Sequence, residues 1–587
     1  MRNRQGNKAP PISLSAVLKG TKATLTAIAL SSGVINILAL TGSFFMLQVY
    51  DRVIPSKSMP TLVGLVIVAG ALYVFYGILE LIRGRLLIRL GWMADRRMSG
   101  PIFDATMQLP LKAKLDGDGL QTLRDLDQVR SFMSGMGPAA FFDLPWMPVY
   151  IGISFLFHPW IGVFALASAI LLSALAILAE IRSKGPVAAV SKKVAERNAV
   201  SQTVRQNIEV LWAMGFYERL ASRWYRANDE YLAEQATASD KSGGLSSVSK
   251  VMRMIAQSGM LALGAVLVLD QQTTGGIMIA SSILLSRSLA PVEQAIAHWK
   301  GFVGARQSWS RLKKLASISG QGTPTIALPA PSQALNLRGV TIVAPGGNIP
   351  IVQDATFTLK AGEGLGIIGP SASGKSTLLR AVVGIWVPVR GDVRLDGATL
   401  DQWALADRGR HIGYLPQSVS LFDGTIAENI ARFDPEANSG VVLKAAQTAG
   451  VHDMIVQMPD GYDTQIGDQG AFLSAGQRQR IGLARALFGD PFLVVLDEPN
   501  SNLDADGEAA LTTAIAGVRS RGGIVIIVAH RPNALIAVDK VMAMGNGRIQ
   551  AFGPKEEVLQ QVTRPAAPAV PATPRAVRLI TSQDEGQ

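Results

Sequence analysis

Apolar residues are spread unevenly along the 587 residues of this chain. Long uncharged runs crowd the first half, whereas short apolar and polar segments alternate in the second half as in an ordinary globular domain. A membrane-spanning helix needs about 20 predominantly apolar residues. The first half has six such stretches: Leu25–Val49, Leu62–Leu81, Ala140–Phe157, Ile161–Ile181, Met254–Leu269 and Ile277–Ala297. The pattern therefore predicts a multidomain membrane protein, with a six-helix all-α transmembrane domain followed by an α/β domain.

The basic residues of this half orient the predicted spans. The connections after spans one, three and five are short (VYDRVIPSKSMP, HPW and LDQQTTGG), whereas the other two are long and basic. Positively charged loops face the cytoplasm, so both termini and the second domain are predicted to be cytoplasmic. The first apolar stretch lacks a small-residue cleavage site and is interpreted as a retained span. The cations between spans two and three are Arg83, Arg85, Arg89, Arg96, Arg97, Lys112, Lys114, Arg124 and Arg130.

Overall composition narrows the function classes. The net charge of +12 could indicate nucleic-acid binding, but cations flanking the spans explain it better, and no nucleic-acid partner is predicted. The chain has no cysteine, which excludes disulfides, zinc–thiolate sites and a cysteine nucleophile.

The two long basic connections have apolar positions at three- and four-residue spacing, for example over Leu120–Met133 and Val204–Leu220. This spacing predicts helices. We therefore expect the spanning helices to continue into the cytoplasm and to turn there.

Three ionisable residues fall in or beside the spans and are candidates for function: Glu80, Asp143 and Arg287. For Asp143 we favour a helix N-cap ahead of Pro145. Arg287 is equally compatible with a polar pathway and with a structural ion pair.

The second half contains a phosphate-binding loop. The apolar run LGIIG (Leu365–Gly369) predicts a strand that feeds a glycine-rich loop, and a helix follows. In such a loop the backbone N–H groups and the helix N-terminus close around phosphate oxygens. Lys375 is expected to reach the β- and γ-phosphates, and Ser376 to ligate Mg²⁺. The predicted ATP-binding residues of this loop are Gly369, Pro370, Ser371, Ala372, Ser373, Gly374, Lys375, Ser376 and Thr377.

A second apolar strand, Phe492–Leu496, ends in two acidic residues. Asp497 is predicted to complete the Mg²⁺ shell, and Glu498 to polarise the attacking water. Together with the loop, this pair predicts an enzyme that hydrolyses ATP with Mg²⁺.

Further motifs resemble the ATP-binding cassette (ABC) family over residues 335–562. Leu473–Gln477 (LSAGQ) is similar to the family signature LSGGQ, with Ala475 as a mild departure. The resemblance implies nucleotide binding by Ser474, Ala475, Gly476 and Gln477, and by Asp504 in SNLD (Ser501–Asp504), which looks like the family's D-loop. It also implies catalytic roles for Lys375, Glu498, the Q-loop residue Gln417, which also senses Mg²⁺, and the switch histidine His530.

One position departs from the family. In VTIVAP, Ala344 stands where the family usually has an aromatic ring that stacks on adenine. We therefore predict weaker discrimination for adenine and use of GTP as well.

The resemblance also has consequences for assembly. In this family each ATP lies between one subunit's phosphate-binding loop and the other's signature, so a chain with one cassette must pair. A homodimer is the simplest assembly, and a heterodimer stays open. ATP-driven closure would reach the spans through the cytoplasmic turns near Leu120 and Asn207.

The segment FFMLQVYDRVIPSKSMPTL is similar to type I secretion ATPases, the group that exports haemolysin- and alkaline-protease-like proteins. The short stretch before the first span resembles the compact protease-exporter branch of that group. That resemblance implies a multi-pass bacterial inner-membrane exporter. Its partners would be a periplasmic adaptor, an outer-membrane channel and a secreted protein with a C-terminal signal. Two alternatives remain: an exporter of small molecules, lipids or peptides, and an ATP-gated regulator or channel without net transport.

The predicted domain organisation has five parts. They are a cytoplasmic segment 1–20, a transmembrane exporter domain 21–315, a linker 316–334, an ATP-binding cassette domain 335–562 and a disordered Pro/Ala-rich tail 563–587.

Overall fold

The computed structural model describes residues 21–113, 119–319, 328–529 and 532–563. Contacts divide the chain into two units, with the boundary between Gly322 and Thr323. Residues 320–327 of the predicted linker, the segment 1–20 and the tail beyond residue 563 lie outside the described residues.

The first unit is entirely helical where it is described. Its helices are α1 Lys22–Leu38, α2 Thr41–Gln48, α3 Ile54–Ser56, α4 Met59–Lys112, α5 Gln121–Ser134, α6 Gly137–Asp143, α7 Met147–Phe157, α8 Pro159–Gln206, α9 Ile208–Ala213, α10 Tyr217–Leu269, α11 Gly275–Ala297 and α12 Trp299–Ser319. A π-helical turn, Val49–Val53, joins α2 to α3, and a 3₁₀ turn, Leu144–Trp146, joins α6 to α7.

All six predicted spans are confirmed. In the described part of the chain, six helical stretches are long and apolar enough to cross a membrane, and each one overlaps one predicted span. They are Lys22–Ser56, Met59–Lys112, Gly137–Phe157, Pro159–Leu178, Ser246–Leu269 and Gly275–Ala297.

Several helices are much longer than a bilayer requires. Helix α4 has 54 residues, α8 has 48 and α10 has 53. At 1.5 Å per residue these helices are about 70–80 Å long, against about 30 Å for the hydrocarbon core. The predicted extension of the spanning helices is therefore confirmed. The predicted helix Leu120–Met133 is α5. The segment Val204–Leu220 is not one helix: it is divided among the end of α8, the short helix α9 and the start of α10, and the chain turns there.

The N-cap interpretation of Asp143 is wrong. Asp143 precedes the 3₁₀ turn, but its side chain makes no capping hydrogen bond. Arg83 Nη1 on α4 instead donates to both carboxylate oxygens at 3.0 Å, and Asn36 Nδ2 on α1 donates to Oδ1 at 2.8 Å. A buried carboxylate is stabilised more by a guanidinium than by one neutral N–H group, because charge-assisted hydrogen bonds are the stronger ones.

This ion pair belongs to a larger buried network. Arg83 Nη2 donates to both oxygens of Glu80 at 2.8 Å, and Tyr150 on α7 donates its hydroxyl to the Asn36 carbonyl at 2.8 Å. The network thus joins the first three spans. Arg287, in contrast, has an exposed side chain and no ion pair among the described residues.

The second unit contains two sheets. Its strands are β1 Ala334–Val343, β2 Pro350–Lys360, β3 Gly364–Ile368, β4 Arg390–Leu395, β5 Ala398–Thr399, β6 Ile412–Leu415, β7 Leu493–Asp497, β8 Ile524–Val528, β9 Lys540–Gly545 and β10 Arg548–Pro554. Its helices are α13 Lys375–Val382, α14 Leu405–His411, α15 Ile426–Ile430, α16 Ser439–Thr448, α17 His452–Val456, α18 Ala475–Leu487, α19 Ala505–Ser520 and α20 Lys555–Thr563.

The larger sheet has the strand order β10-β9-β3-β8-β7-β6, and all its pairs are parallel except β9–β10. The smaller sheet, β2-β1-β4-β5, is antiparallel. Strands β7 and β8 are buried along their whole length, as expected for parallel strands covered on both faces. Because parallel strands end at the same edge, the residues that follow β3, β6 and β7 lie at one side of the sheet.

The network around Arg83 leads to a stability prediction. Arg83→Met would leave Asp143 and Glu80 without their guanidinium, and removing one partner of a buried ion pair typically costs about 3–5 kcal/mol. We expect a markedly lower melting temperature in detergent micelles. Arg287→Met makes the same chemical change at an exposed side chain and is expected to melt like the unmodified chain. Equal melting temperatures for the two variants would contradict this account.

Candidate functional site

The loop between β3 and α13 has a backbone that requires glycine at two positions. Gly369 has φ +150°, and a Cβ there would lie 2.2 Å from the Met544 carbonyl oxygen. Gly374 has φ +96°, and a Cβ there would lie 3.2 Å from the carbonyl oxygen of Ile351. The chain therefore turns tightly at both ends of the loop and begins α13 at Lys375.

Lys375 lies folded over the loop. Its Nζ donates to the carbonyl oxygens of Gly369 and Pro370, both at 2.9 Å. Burial lowers the pKa of Lys375, and the charges of Glu498 and Asp497 oppose that shift. The ammonium is thus held among the loop residues where a phosphate chain would be cradled.

Two oxygen atoms form a candidate metal site. Ser376 Oγ donates to Asp497 Oδ1 at 3.2 Å, and Asp497 ends the buried strand β7. Burial raises the pKa of Asp497, and the Ser376 hydrogen bond opposes that shift. Hydroxyl and carboxylate oxygens suit Mg²⁺, which usually keeps few protein ligands beside water and phosphate oxygens. Accordingly, the described residues contain no group of three or more His, Cys, Asp and Glu side chains that could hold a metal ion.

Glu498 and Gln417 meet beside this site. Gln417, just beyond β6, donates its Nε2 to Glu498 Oε2 at 3.0 Å. Both side chains line a cavity of about 320 Å³ with Ile351 and six residues of the loop, Ser371, Ala372, Ser373, Gly374, Lys375 and Ser376, followed by Thr377. The structure therefore brings most of the predicted phosphate-binding loop together with Gln417 and Glu498 at one cavity. Asp497 does not line the cavity and reaches it only through its hydrogen bond with Ser376.

The signature residues are not part of this cavity. Ser474 begins α18 with a capping box: its Oγ accepts from Gln477 N at 3.2 Å, and Gln477 Oε1 accepts from Ser474 N at 2.8 Å. None of residues 474–477 is among the described residues that line the cavity. Within one chain, the two parts of the predicted ATP site are therefore separate.

Asp504 caps the next helix. Its Oδ1 accepts from Gly507 N at 3.0 Å at the start of α19, and its Oδ2 lies 3.5 Å from Arg480 Nη2. Its predicted role in nucleotide binding stays a prediction. His530 lies outside the described residues.

Sequence reasoning missed two residues of the site. Ile351 on β2 lines the cavity. Gln479 on α18 is buried and contacts the backbone that carries Glu498. A signal for Gln479 existed, because it lies four positions before Leu483 and seven before Ala486 on the buried face of an amphipathic helix, where a polar residue needs a partner.

Comparisons with known proteins give the family. The sequence profile described as "ABC transporter transmembrane region" matches residues 25–290, and the profile described as "ABC transporter" matches residues 352–501. The chain is 53% identical to the type I secretion system ATP-binding protein PrsD of Rhizobium meliloti (strain 1021), over 96% of this chain and 97% of that protein.

More distant relatives are also described as ATP-binding proteins of secretion or translocation. The chain is 28% identical to the alpha-hemolysin translocation ATP-binding protein HlyB of Escherichia coli, and 28% identical to the cyclolysin secretion/processing ATP-binding protein CyaB of Bordetella pertussis. Each match covers 90% of this chain and 75% of the relative. A solved bacterial Atm1-family ABC exporter with ATP bound has the same fold, with a TM-score of 0.81 at 20% identity over 92% of this chain and 96% of that one.

The position of Glu498 predicts that its substitution affects ATP hydrolysis but not ATP binding. Glu498→Gln keeps a side chain that can hydrogen-bond Gln417 but removes the predicted base, so ATP hydrolysis is expected to fall by about 100-fold or more. Binding of ATP, measured by equilibrium titration, should persist. Glu557→Gln makes the same change at an exposed residue of α20 and should leave hydrolysis intact. Residual activity of Glu498→Gln close to that of the unmodified chain would rule out this role.

Ala344 follows β1 in a turn closed by the Gly347 N–H donating to its carbonyl oxygen at 2.9 Å, and its side chain is half-buried. Ala344→Tyr restores a ring for base stacking, which is worth about 1 kcal/mol, or roughly fivefold in affinity. We expect tighter ATP binding and a larger preference for ATP over GTP in nucleotide titrations. Ala361→Tyr, in an exposed turn, is the control. Unchanged affinity for both nucleotides in Ala344→Tyr would contradict the prediction.

Proposed function

Because the chain belongs to the ABC transporter family, we propose that it is the ATP-driven exporter of a type I secretion system, moving a protein across the bacterial inner membrane. The observation that carries this proposal is the 53% identity to a type I secretion ATP-binding protein over almost the whole length of both chains. The six spans and the transmembrane profile match make it a multi-pass membrane protein with a cytoplasmic ATP-binding domain.

The residues at the cavity suggest how ATP would be hydrolysed. The loop's N–H groups and Lys375 would bind and orient the phosphate chain, and Gln417 and Glu498 would orient and polarise the attacking water. Ser376 and Asp497 would hold Mg²⁺, which would neutralise negative charge on the phosphate chain. Burial of Asp497 keeps water from competing for its carboxylate and makes its charge more effective.

A dimer would complete the site. The separation of 474–477 from the cavity within one chain supports the proposal that each signature acts on the ATP of a partner subunit. A homodimer is the simplest assembly, in keeping with common twofold symmetry. The sequence carries both Glu498 and His530, so neither of the two sites need be inactive, and a heterodimer remains the alternative.

Closure of the dimer would then be transmitted to the spans through the cytoplasmic turns near Leu120 and Asn207. The turn around α9 has exposed apolar side chains, including Trp212 and Met214. Clustered apolar side chains that are exposed to water often mark a protein-interaction surface, which supports a role for this turn in protein contacts.

The proposed partners come from the relatives. A secretion exporter of this type would work with a periplasmic adaptor protein and an outer-membrane channel protein. Its substrate would be a secreted protein with an uncleaved C-terminal signal. The similarity to proteins described as secretion and translocation ATP-binding proteins supports this partnership.

The proposal is tested by deleting the gene and comparing the proteins in the culture medium. We expect one or a few secreted proteins to disappear, to return with the unmodified gene or with Glu557→Gln, and to stay absent with Glu498→Gln. An unchanged secreted proteome would reject protein export. Proteoliposomes then separate the alternatives: ATP-dependent movement of a small molecule or lipid indicates a different exporter, and ATP hydrolysis without net movement indicates a regulator or channel.

A further inference from the structure

Gln479 contacts the loop that carries the catalytic carboxylate. It lies on α18, three residues after Gly476 of the signature, and only 3% of it is exposed. Its Nε2 donates to the Glu498 carbonyl oxygen at 3.2 Å, to the Pro499 carbonyl oxygen, and to Ser501 Oγ at 3.3 Å. Both amide protons of the side chain are thus directed at the residues that follow β7.

The backbone held in this way is strained. Glu498 has φ +51°, a left-handed conformation that costs a non-glycine residue of order 1 kcal/mol or more. Its N–H donates to the Val528 carbonyl oxygen at 3.2 Å, and its carbonyl accepts from Gln479 at 3.2 Å and from the Ser501 N–H at 3.4 Å. Such a conformation persists only where its surroundings hold it, so the direction of the Glu498 carboxylate toward Gln417 depends on these contacts, of which Gln479 supplies the one from a side chain.

Two further contacts tie α18 to the same loop. A Cβ at Gly476 would lie 2.9 Å from the Asn502 carbonyl oxygen, so the helix start approaches the loop as closely as glycine allows. Arg480 pairs with Asp504 at 3.5 Å. These contacts lie at the loop's far end and at the surface, whereas Gln479 is the buried side chain directed at Glu498.

We propose that Gln479 is a positioning residue for Glu498 of its own chain. Resting on the proposed dimer, this means that α18 has two duties: its first turn acts on the partner's ATP, and Gln479 holds the catalytic carboxylate for the ATP of its own phosphate-binding loop. A displacement of α18 at one nucleotide would then move the base at the other. The two hydrolytic sites are coupled through one side chain.

The test uses mixed dimers of the full-length chain, with two different affinity tags, in lipid nanodiscs. One subunit carries Glu498→Gln, so only the other subunit's base can hydrolyse ATP. Gln479→Met is placed on the subunit with the intact base, or instead on the Glu498→Gln subunit. In the first arrangement we expect kcat to fall about tenfold with little change in KM, equivalent to about 1.4 kcal/mol. In the second arrangement kcat should match that of the mixed dimer without Gln479→Met.

The proposal would be overturned if kcat fell only when Gln479→Met is on the Glu498→Gln subunit. That result would mean that Gln479 acts through the signature. An equal loss of kcat in both arrangements, together with lower melting temperatures, would mean a general structural role and would also overturn it.

Gln447→Met, the same change at an exposed residue of α16, is the matched control. Ser501→Ala removes one partner of Gln479 at an exposed side chain, and a smaller loss of kcat in the same arrangement is expected.

Mixed dimers that fail to form would count against the dimer and not against Gln479. Uniform Gln479→Met chains then decide the question. A tenfold lower kcat at unchanged KM and melting temperature supports the positioning role, and an unchanged kcat rejects it.

Discussion

The hydrogen bond between Ser376 and Asp497 joins the two parts of the chain on which the nucleotide site depends. These residues are 121 positions apart, and they meet at 3.2 Å because β3 and β7 are parallel and lie on either side of β8. Parallel strands end at a common edge, so the phosphate-binding loop after β3, Gln417 after β6 and Glu498 after β7 are brought to one cavity. The sheet order, more than any single motif, makes these residues one site.

The predicted signature residues lie apart from this cavity. The signature residues begin α18 and are capped there by their own side chains, apart from the cavity. A helix N-terminus can act on phosphate, and in the proposed dimer this one would act on the nucleotide of the partner subunit. What α18 does offer its own chain is Gln479, a buried amide that fixes the backbone of Glu498. In the proposed dimer, α18 would therefore contact the partner's nucleotide with its first turn and the Glu498 backbone of its own chain with its buried face.

In the first unit the main constraint is the burial of charge. Arg83 lies between Glu80 and Asp143 and donates to both oxygen atoms of each. Asn36 adds a hydrogen bond to Asp143, and Tyr150 donates to Asn36. Helices that are apolar on their outer faces can slide or rotate against one another at small cost, whereas a buried guanidinium tolerates few arrangements. The network therefore specifies how the first three spans pack.

The sequence by itself determined the elements and most of the chemistry. Six apolar stretches became six spans, the spacing around Leu120 became a helix, and the glycine-rich loop with Asp497 and Glu498 identified an ATP site. Such features are local, because length, periodicity and backbone freedom depend on residues near in the chain.

Only the tertiary structure decided which distant side chains meet. Asp143 was predicted to cap a helix but binds Arg83, and Gln479 passed unnoticed although it holds Glu498. The physical reason is that a buried polar group is stabilised by whichever charge or donor folding brings to it, and sequence distance does not reveal that partner.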